Sequence, residues 1–585
     1  MKTKTLITTN LELNENKNLN NILFAGDWCL KDKKSFRNGD KIFNNIWDSQ
    51  KEINKDYFKI KKIHTKINNK LSNYFFHLHQ KKFPKKIWKN LLFVWLTYYL
   101  FFYYFKWKTI SNIFKKNKKL NFINYQSDKH FYHLDSLDFY DTSSSSNIFN
   151  YLAFKKIILH KKKRKLINVK ILKKNKKLKD NKIIFNKSLK DLRFKPLKKV
   201  IAFFQKNILN PKLLILDGIN SRLSFFINLF SFQFPLIFKD VFDWQKEKNK
   251  IKDLISVKKT QEFKIKGSEF EKFIMKNIFD DMPLCFTSGF DHLNKSSNQI
   301  RFNPKIIISG TQHVHNELAK LWLLKQKYLY NKKLFIVSHG GGHQNLSLTM
   351  YDYEHKIGDY FFQWLDKKTF FNFRLPNTKY SFNIKKRIKN SERIVFVGNE
   401  LKSYINRIAP GPMSISTANT INDLEIIYLN VDKKIKSKIY YAPKKEMINF
   451  FSKKLSKILS KSQILPTSKL DINIKRSKLV VCTYPQTTFF DAIMNGPTIL
   501  VYNPKLWKQY KELNRFYKIL KNNKIIFDNP KDAANHINNI WRDIDEWWQK
   551  EDVTNAKNLF LKEFNLPPKN SFSDVFKCLK IFKNV

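Results

Sequence analysis

Leu334-Phe335-Ile336-Val337-Ser338 runs straight into His339-Gly340-Gly341-Gly342-His343. Four apolar residues that stop at a serine read as a buried parallel strand. Three glycines directly after it let the backbone turn tightly and bring N–H groups against a ligand. Upstream, Ile306-Ile307-Ile308-Ser309-Gly310 reads as a second strand, with a helix through Leu318–Tyr330 between the two. Strand, helix, strand, with polar residues at the strands' carboxyl ends, is the doubly wound α/β pattern.

The same punctuation recurs outward along the chain. Leu213–Gly218 reads as a strand and turn, and Leu6–Thr9 and Asn21–Gly26 as two short strands around a polar loop. A further series comprises Arg393–Asn399, Lys438–Pro443, Leu479–Thr483, Thr498–Tyr502 and Lys524–Phe527, with a helix from about Thr488. Two unequal domains are expected. The first, 1–385, carries helical and Lys-rich insertions at about 50–210; the second, 386–585, ends in helices rich in Trp541, Trp547 and Trp548. Strands ending at Gly26, Gly310 and Ser338 should share one sheet, and those ending at Gly398, Pro443 and Thr483 another. Between them, Gln50–Phe105 reads as helix, and Thr142–Asn147 as a loop. Residues 155–200 carry 20 Lys/Arg against Asp180 and Asp191, which suits a solvated insertion or a contact with lipid or polyanionic glycan.

Composition bounds the function. The chain has 585 residues, 42% of them apolar and 15% aromatic, so it can bury sizeable cores and is not a disordered protein. Its four cysteines (Cys29, Cys285, Cys482, Cys578) lie far apart, which fits a reducing cytoplasm. The formal charge of +63 points on its face to nucleic acid or anionic membrane. Lys far exceeds Arg, however, and phosphate readers favour Arg forks. Nucleic acid is therefore not the expected partner, whereas weak attraction to acidic headgroups is. The uncharged run Leu91–Phe105 would reach only ~22 Å as a helix, short of a ~30 Å hydrocarbon core. It reads as a buried helix, or else as an interfacial one.

Three motifs carry chemistry. His339 and His343 flank the glycines, and imidazole titrates nearest neutrality, so the loop suits binding a phosphate or sugar while moving a proton. A plain glycine-rich turn is the alternative, and a zinc site there lacks a third ligand. Glu354 and His355, a few residues on, are further candidates. In Cys482-Thr483-Tyr484-Pro485-Gln486-Thr487-Thr488, a strand delivers hydroxyls to a helix start, where free N–H groups attract a diphosphate, and Asp491 lies one turn on. Thr487 as a simple N-cap is the competing reading. Asp27, in Ala25-Gly26-Asp27-Trp28-Cys29, stands at a strand's carboxyl end as a base or a hydroxyl binder, with Trp28 as a plate for a sugar, unless Asp27 merely caps a turn. There is no Walker A motif, no GxGxxG and no DxD pair after a strand. A metal-independent mechanism, without a cofactor beyond the donor substrate, is preferred.

With these residues the chain resembles a bacterial family of transferases from surface-polysaccharide gene clusters. The likeness covers Leu6–Thr9, Ile22–Cys29 (the family usually has Gly-Glu-Trp-Cys), Trp47-Asp48, the His-Gly-Gly-Gly loop, Glu354-His355, Asp359 and Trp364. It resumes at Cys482–Tyr484, Thr487–Phe489, Pro497-Thr498, Asn503-Pro504, Trp507 and the Trp-rich tail. The resemblance implies a GT-B-like architecture, two Rossmann-type domains facing across a cleft. It likens the second half to the donor half of capsule and CDP-glycerol-type transferases. One departure stands out. Where the family carries Tyr-Pro-His, this chain has Ala442-Pro443-Lys444. A lysine holds a phosphate as a point charge but relays protons poorly near neutral pH.

The expected activity is transfer of a sugar or polyol-phosphate group from a nucleotide-activated donor to a glycan or lipid-linked acceptor, in the cytoplasm and peripherally on the inner face of the plasma membrane. His339, His343 or Asp27 would be the base. Gly340, Gly341, Gly342, Thr483, Thr487, Thr488, Asp491 and Lys444 would hold the donor. The rival is a non-catalytic basic module for acidic glycan, lipid headgroups or nucleic acid.

Overall fold

Short apolar strands followed by Gly, Ser, Thr or Asp pair in parallel, because each must bury both faces beneath helices. The computed structural model describes residues 3–14, 19, 21–30, 39–80, 82–126, 131–177, 211–233, 242–252, 266–338, 350–363, 373–374, 391–398, 402–408, 413–443, 458–466, 470–505, 507, 513–564 and 571–583. Within them lie three five-stranded sheets whose strands pair in parallel.

The first sheet contains β1 (Lys4–Ile7), β2 (Ile22–Phe24), β3 (Lys41–Ile42), β4 (Leu120–Gln126) and β5 (Val169–Lys177), in the order β3-β2-β1-β4-β5. The second contains β6 (Leu213–Ile215), β7 (Ile306–Ser309), β8 (Lys333–Val337), β9 (Tyr360–Gln363) and β10 (Phe373–Arg374), side by side in chain order. The third contains β11 (Ile394–Val397), β12 (Ile439–Ala442), β13 (Leu479–Cys482), β14 (Thr498–Val501) and β15 (Ile526–Phe527), in the order β12-β11-β13-β14-β15. Strand order reverses between β1 and β4 and again between β11 and β13. Such switch points open a crevice at the carboxyl ends of the strands.

The strands of the second series share one sheet as expected. Those ending at Gly26, Gly310 and Ser338 do not: β2 belongs to the first sheet, and β7 and β8 to the second. The physical reason is a helical layer between them. Helix Lys85–Lys116 begins after Pro84, and its residues from Leu91 to Phe105 are all buried. Phe105 meets Trp28 of the first unit edge-on at 5.4 Å, and Phe93 stacks on Tyr353 of the second at 5.5 Å. A helix apolar all round needs cover on all sides, and the two α/β units supply it. Each large apolar side chain so buried contributes about 1.5–3 kcal/mol before entropy is counted. No helix among the described residues is long and apolar enough to cross a membrane.

Two further expectations change. Thr142–Asn147 is a junction between helices, not a loop. Helix Ser136–Ser145 ends there, and Ser146 caps Asn147–Lys163 by accepting from the Phe149 amide at 3.2 Å. The Lys-rich stretch is also partly integral. Residues 155–163 finish that helix, and β5 is a sheet edge, while 178–200 lie outside the described residues.

Two crossings tie the units together. Residues 402–408, just beyond β11, dock on the first unit: Asn406 Nδ2 donates to Tyr140 O and Ser143 Oγ, each at 2.8 Å. The last helix, Ser571–Lys583, packs Val575 and Cys578 on the second sheet beside Phe335 and Phe362.

Candidate functional site

The third sheet's crevice opens between β11 and β13. Thr483 follows β13 and donates its hydroxyl to Val397 O at 3.0 Å, across the switch point. That proton is committed, so Thr483 ties two strands rather than offering a donor. Gly398, after β11, is needed because a Cβ there would run into the Tyr441 phenol. Beyond Pro485 the helix Thr487–Asn495 begins, with Gln486 as its N-cap and Thr487 its first helical residue. The Gln486 side chain does not cap the helix, and its Nε2 is buried without a hydrogen-bond partner among the described residues. Thr487, Thr488 and Asp491 are half-buried along the first turns, and Thr488 Oγ1 lies 3.2 Å from Tyr484 OH. Hydroxyls, an unspent amide N–H and a helix's positive end suit a phosphate.

The first sheet's crevice is acidic. Thr8 and Thr9 follow β1, and Glu12 Oε2 accepts from the Thr8 amide and hydroxyl, both at 2.9 Å. It also accepts from the Thr9 amide at 2.6 Å and the Thr9 hydroxyl at 3.1 Å. Thr9-x-x-Glu12 has capping-box spacing for the short helix Asn10–Asn14. Glu12 is fully buried, and burial lifts its pKa to about 7 against the pull of these bonds. β2 then leads to Asp27, which is exposed at its surface, although the surrounding protein desolvates its carboxyl and raises its pKa. Cys29 lies in the same cluster. Burial pushes its thiol well up, and Glu12 and Asp27 add to the push. Trp28 is only 8% exposed, its Nε1 donates to Thr8 O at 2.9 Å, and its ring covers Gly26. It is a core residue, not a plate for sugar. Tyr404, from the segment after β11, is buried near Cys29 and Glu12, so that segment reaches this crevice.

At the second sheet, Asp217 follows β6 and accepts from the Gly310 amide at 2.7 Å, the Thr311 amide at 2.8 Å and the Thr311 hydroxyl. Ser309 Oγ reaches Asp217 at 3.3 Å and His313 Nδ1 at 2.9 Å. The other ring nitrogen of His313 meets Glu354 Oε1 at 3.2 Å. Burial lowers the His313 pKa to about 4, so the ring is neutral near pH 7. Glu354 therefore orients a histidine, His313. His355 is half-buried against Phe361, and burial lowers its pKa.

A family model described as LIC12162 family transferase matches residues 4–577. The chain belongs to this family. No curated protein matches the chain.

The match runs through all three sheets and into the last helix of this LIC12162 family transferase. The residues singled out from its sequence fall on three sheets. Thr483, Thr487, Thr488 and Asp491 line one strand-to-helix turn, Asp27 opens the short 3-10 helix Asp27–Leu30 after β2 of the first sheet, and Glu354 and His355 lie in helix Met350–Ile357 beside the second. His339, Gly340, Gly341, Gly342, His343 and Lys444 lie outside the described residues. Sequence reasoning missed four groups. Thr-x-x-Glu spacing was a usable signal for Glu12, and Pro485 just before it was one for Gln486. Asp217 and His313 sit 96 positions apart in the transferase's numbering, and no spacing rule joins them to Glu354.

Proposed function

We propose that this transferase moves a sugar or polyol-phosphate group from a nucleotide-activated donor to a hydroxyl of a surface-glycan acceptor, without a metal. The observation that carries the reading is the third sheet's switch point, where the Thr483–Val397 bond sets β13 directly before the helix start at Gln486-Thr487-Thr488. The donor's phosphates would lie there, held by helix amides, the Gln486 amide and the threonine hydroxyls, with Lys444 as an added point charge. The acceptor hydroxyl would give its proton to Asp27, whose raised pKa suits a base, or to His339 or His343. Its oxygen then bonds to the transferred group as the bond to the nucleotide phosphate breaks. The charge left on that phosphate is met by the helix start.

Docking of residues 402–408 on the first unit and return of helix Ser571–Lys583 to the second sheet support a GT-B-like cleft. The charge of +63 supports working at an acidic membrane face inside the cell. The test is a thermal-shift screen of CMP-, CDP-, UDP- and GDP-linked donors, since a bound donor raises the melting temperature by mass action. One nucleotide class should stabilise saturably and keep doing so at raised salt. Loss of all stabilisation on adding salt would mark a charge-only binder and sink the reading.

A further inference from the structure

A cavity of about 510 Å³ lies among four helices: Gln50–Leu78, Lys85–Lys116, Glu317–Tyr330 and Met350–Ile357. That volume is in the range of small-molecule sites, about 300–1,000 Å³. It is not part of the crevices described above. Lys327 and Tyr328 lead into β8, and Lys356 leads into β9, so the cavity flanks the amino ends of these strands. The glycine loop starts at the opposite end, after Ser338.

Its wall is cationic and its nearest carboxylates are engaged. Lys327 is paired with Asp359 at 2.6 Å, and Lys61, just outside, with Asp352 at 2.9 Å. Lys86 and Lys89 have no ion-pair partner among the described residues, and Lys356 sits 4.6 Å from the centre of the Phe93 ring. Burial lowers the Lys356 pKa; Asp352 pulls it back up, and Lys61 and Lys89 push it down again by repulsion. Such crowding of like charge is relieved by an anion.

The other wall is neutral and rich in hydrogen-bonding groups. Asn68 is 6% exposed; its Nδ2 donates to Lys89 O at 2.9 Å, while its Oδ1 is buried with no hydrogen-bond partner among the described residues. Asn90 donates to Tyr328 OH at 2.9 Å, and that hydroxyl is 3.4 Å from Lys356 O. The side chains of Asn69, Asn90 and Tyr328 on this wall suit a sugar's hydroxyls, and the lysines call for negative charge. We propose that this cavity binds an anionic sugar unit, a saccharide bearing a phosphate or carboxylate, at a subsite separate from group transfer.

The test reads binding and needs no turnover, so it stands whether or not the transfer reaction is as proposed. Full-length protein is titrated calorimetrically with glucose 6-phosphate, glucuronate, inorganic phosphate and glucose. The first two should bind about tenfold tighter than the last two. Lys86→Gln/Lys89→Gln should weaken them by about tenfold or more, whereas the charge-matched Lys433→Gln/Lys434→Gln, on an exposed turn elsewhere, should not. Lys89→Gln alone serves if the double variant loses its melting transition. Equal weakening in both double variants would make the effect bulk charge and overturn the proposal. So would sugar acids no tighter than phosphate, or affinity seen only with phosphatidylglycerol vesicles.

Discussion

The Thr9 amide donates to Glu12 Oε2 at 2.6 Å, within a helix start where the same oxygen serves three other donors. A capping carboxylate usually stands in water, with its pKa held low. Here burial outweighs the bonds and holds the pKa near 7. The unfolded chain loses this proton well below that pH, so the folded state binds the extra proton in between. Stability from this group is therefore full at low pH and falls as pH rises toward about 7. Glu12→Gln cannot titrate. The melting temperature of wild type minus that of Glu12→Gln should shrink between about pH 5 and about pH 8. A difference that grows with pH would mean that the four bonds win over burial.

His313 works with the opposite sign. Its folded pKa of about 4 lies below the usual imidazole value, so the unfolded chain takes up the proton first as pH falls. Stability from neutral His313 is present near pH 7 and is lost as pH drops below about 6.5 toward 4. His313→Gln breaks the contacts to Ser309 and Glu354 and should cost about 1–3 kcal/mol near neutrality. That cost, read from urea unfolding, should be smaller near pH 5. An equal cost at both pH values would show that the ring titrates alike in the folded and unfolded chain.

Much of the fold was legible because strands and turns are local. Leu334–Ser338, Leu479–Thr483 and Arg393–Asn399 each declared a strand and its end, and all three are found. The grouping of strands into sheets was not legible, since nothing local in Ile22-Leu23-Phe24 says which strand lies beside it. The pairing came from the helical layer around Leu91–Phe105, whose burial was readable but whose two neighbours were not. At the site, Thr487 and Thr488 were found because a helix start is a local signal. The Asp217–Ser309–His313–Glu354 chain was not, because it is assembled from two strand ends and two helices.

The close pass of β6 and β7 offers a stability test. Gly218 has φ of +90°, a region that side chains avoid, and its backbone touches that of Gly310. A Cβ on Gly310 would lie 2.6 Å from Gly218 Cα, and backbone on both sides leaves little room to yield. Gly310→Ala should cost about 1–3 kcal/mol and loosen Asp217 from the Gly310 amide. An unchanged denaturation midpoint would show that the turn can shift freely.

Thr483 and Thr487 sit four residues apart and should fail in different ways. Thr483 is buried and gives its proton to Val397 O, so Thr483→Val leaves that carbonyl without its partner. The expected loss is about 0.5–1.5 kcal/mol of stability, with donor affinity nearly intact. Thr487 is half-buried at the first helical position, where the N-cap side chain supplies no acceptor. Thr487→Val keeps the shape, so the fold should hold, while donor affinity falls about tenfold if its hydroxyl meets a charged phosphate oxygen. Gln486→Leu should follow Thr487→Val, because its buried Nε2 has no partner to lose among the described residues. Calorimetry with the stabilising donor and urea unfolding of the three variants separate the two outcomes. If Thr487→Val and Gln486→Leu both bind donor as wild type does, the helix start is not the phosphate site, and the donor must be sought at the glycine loop.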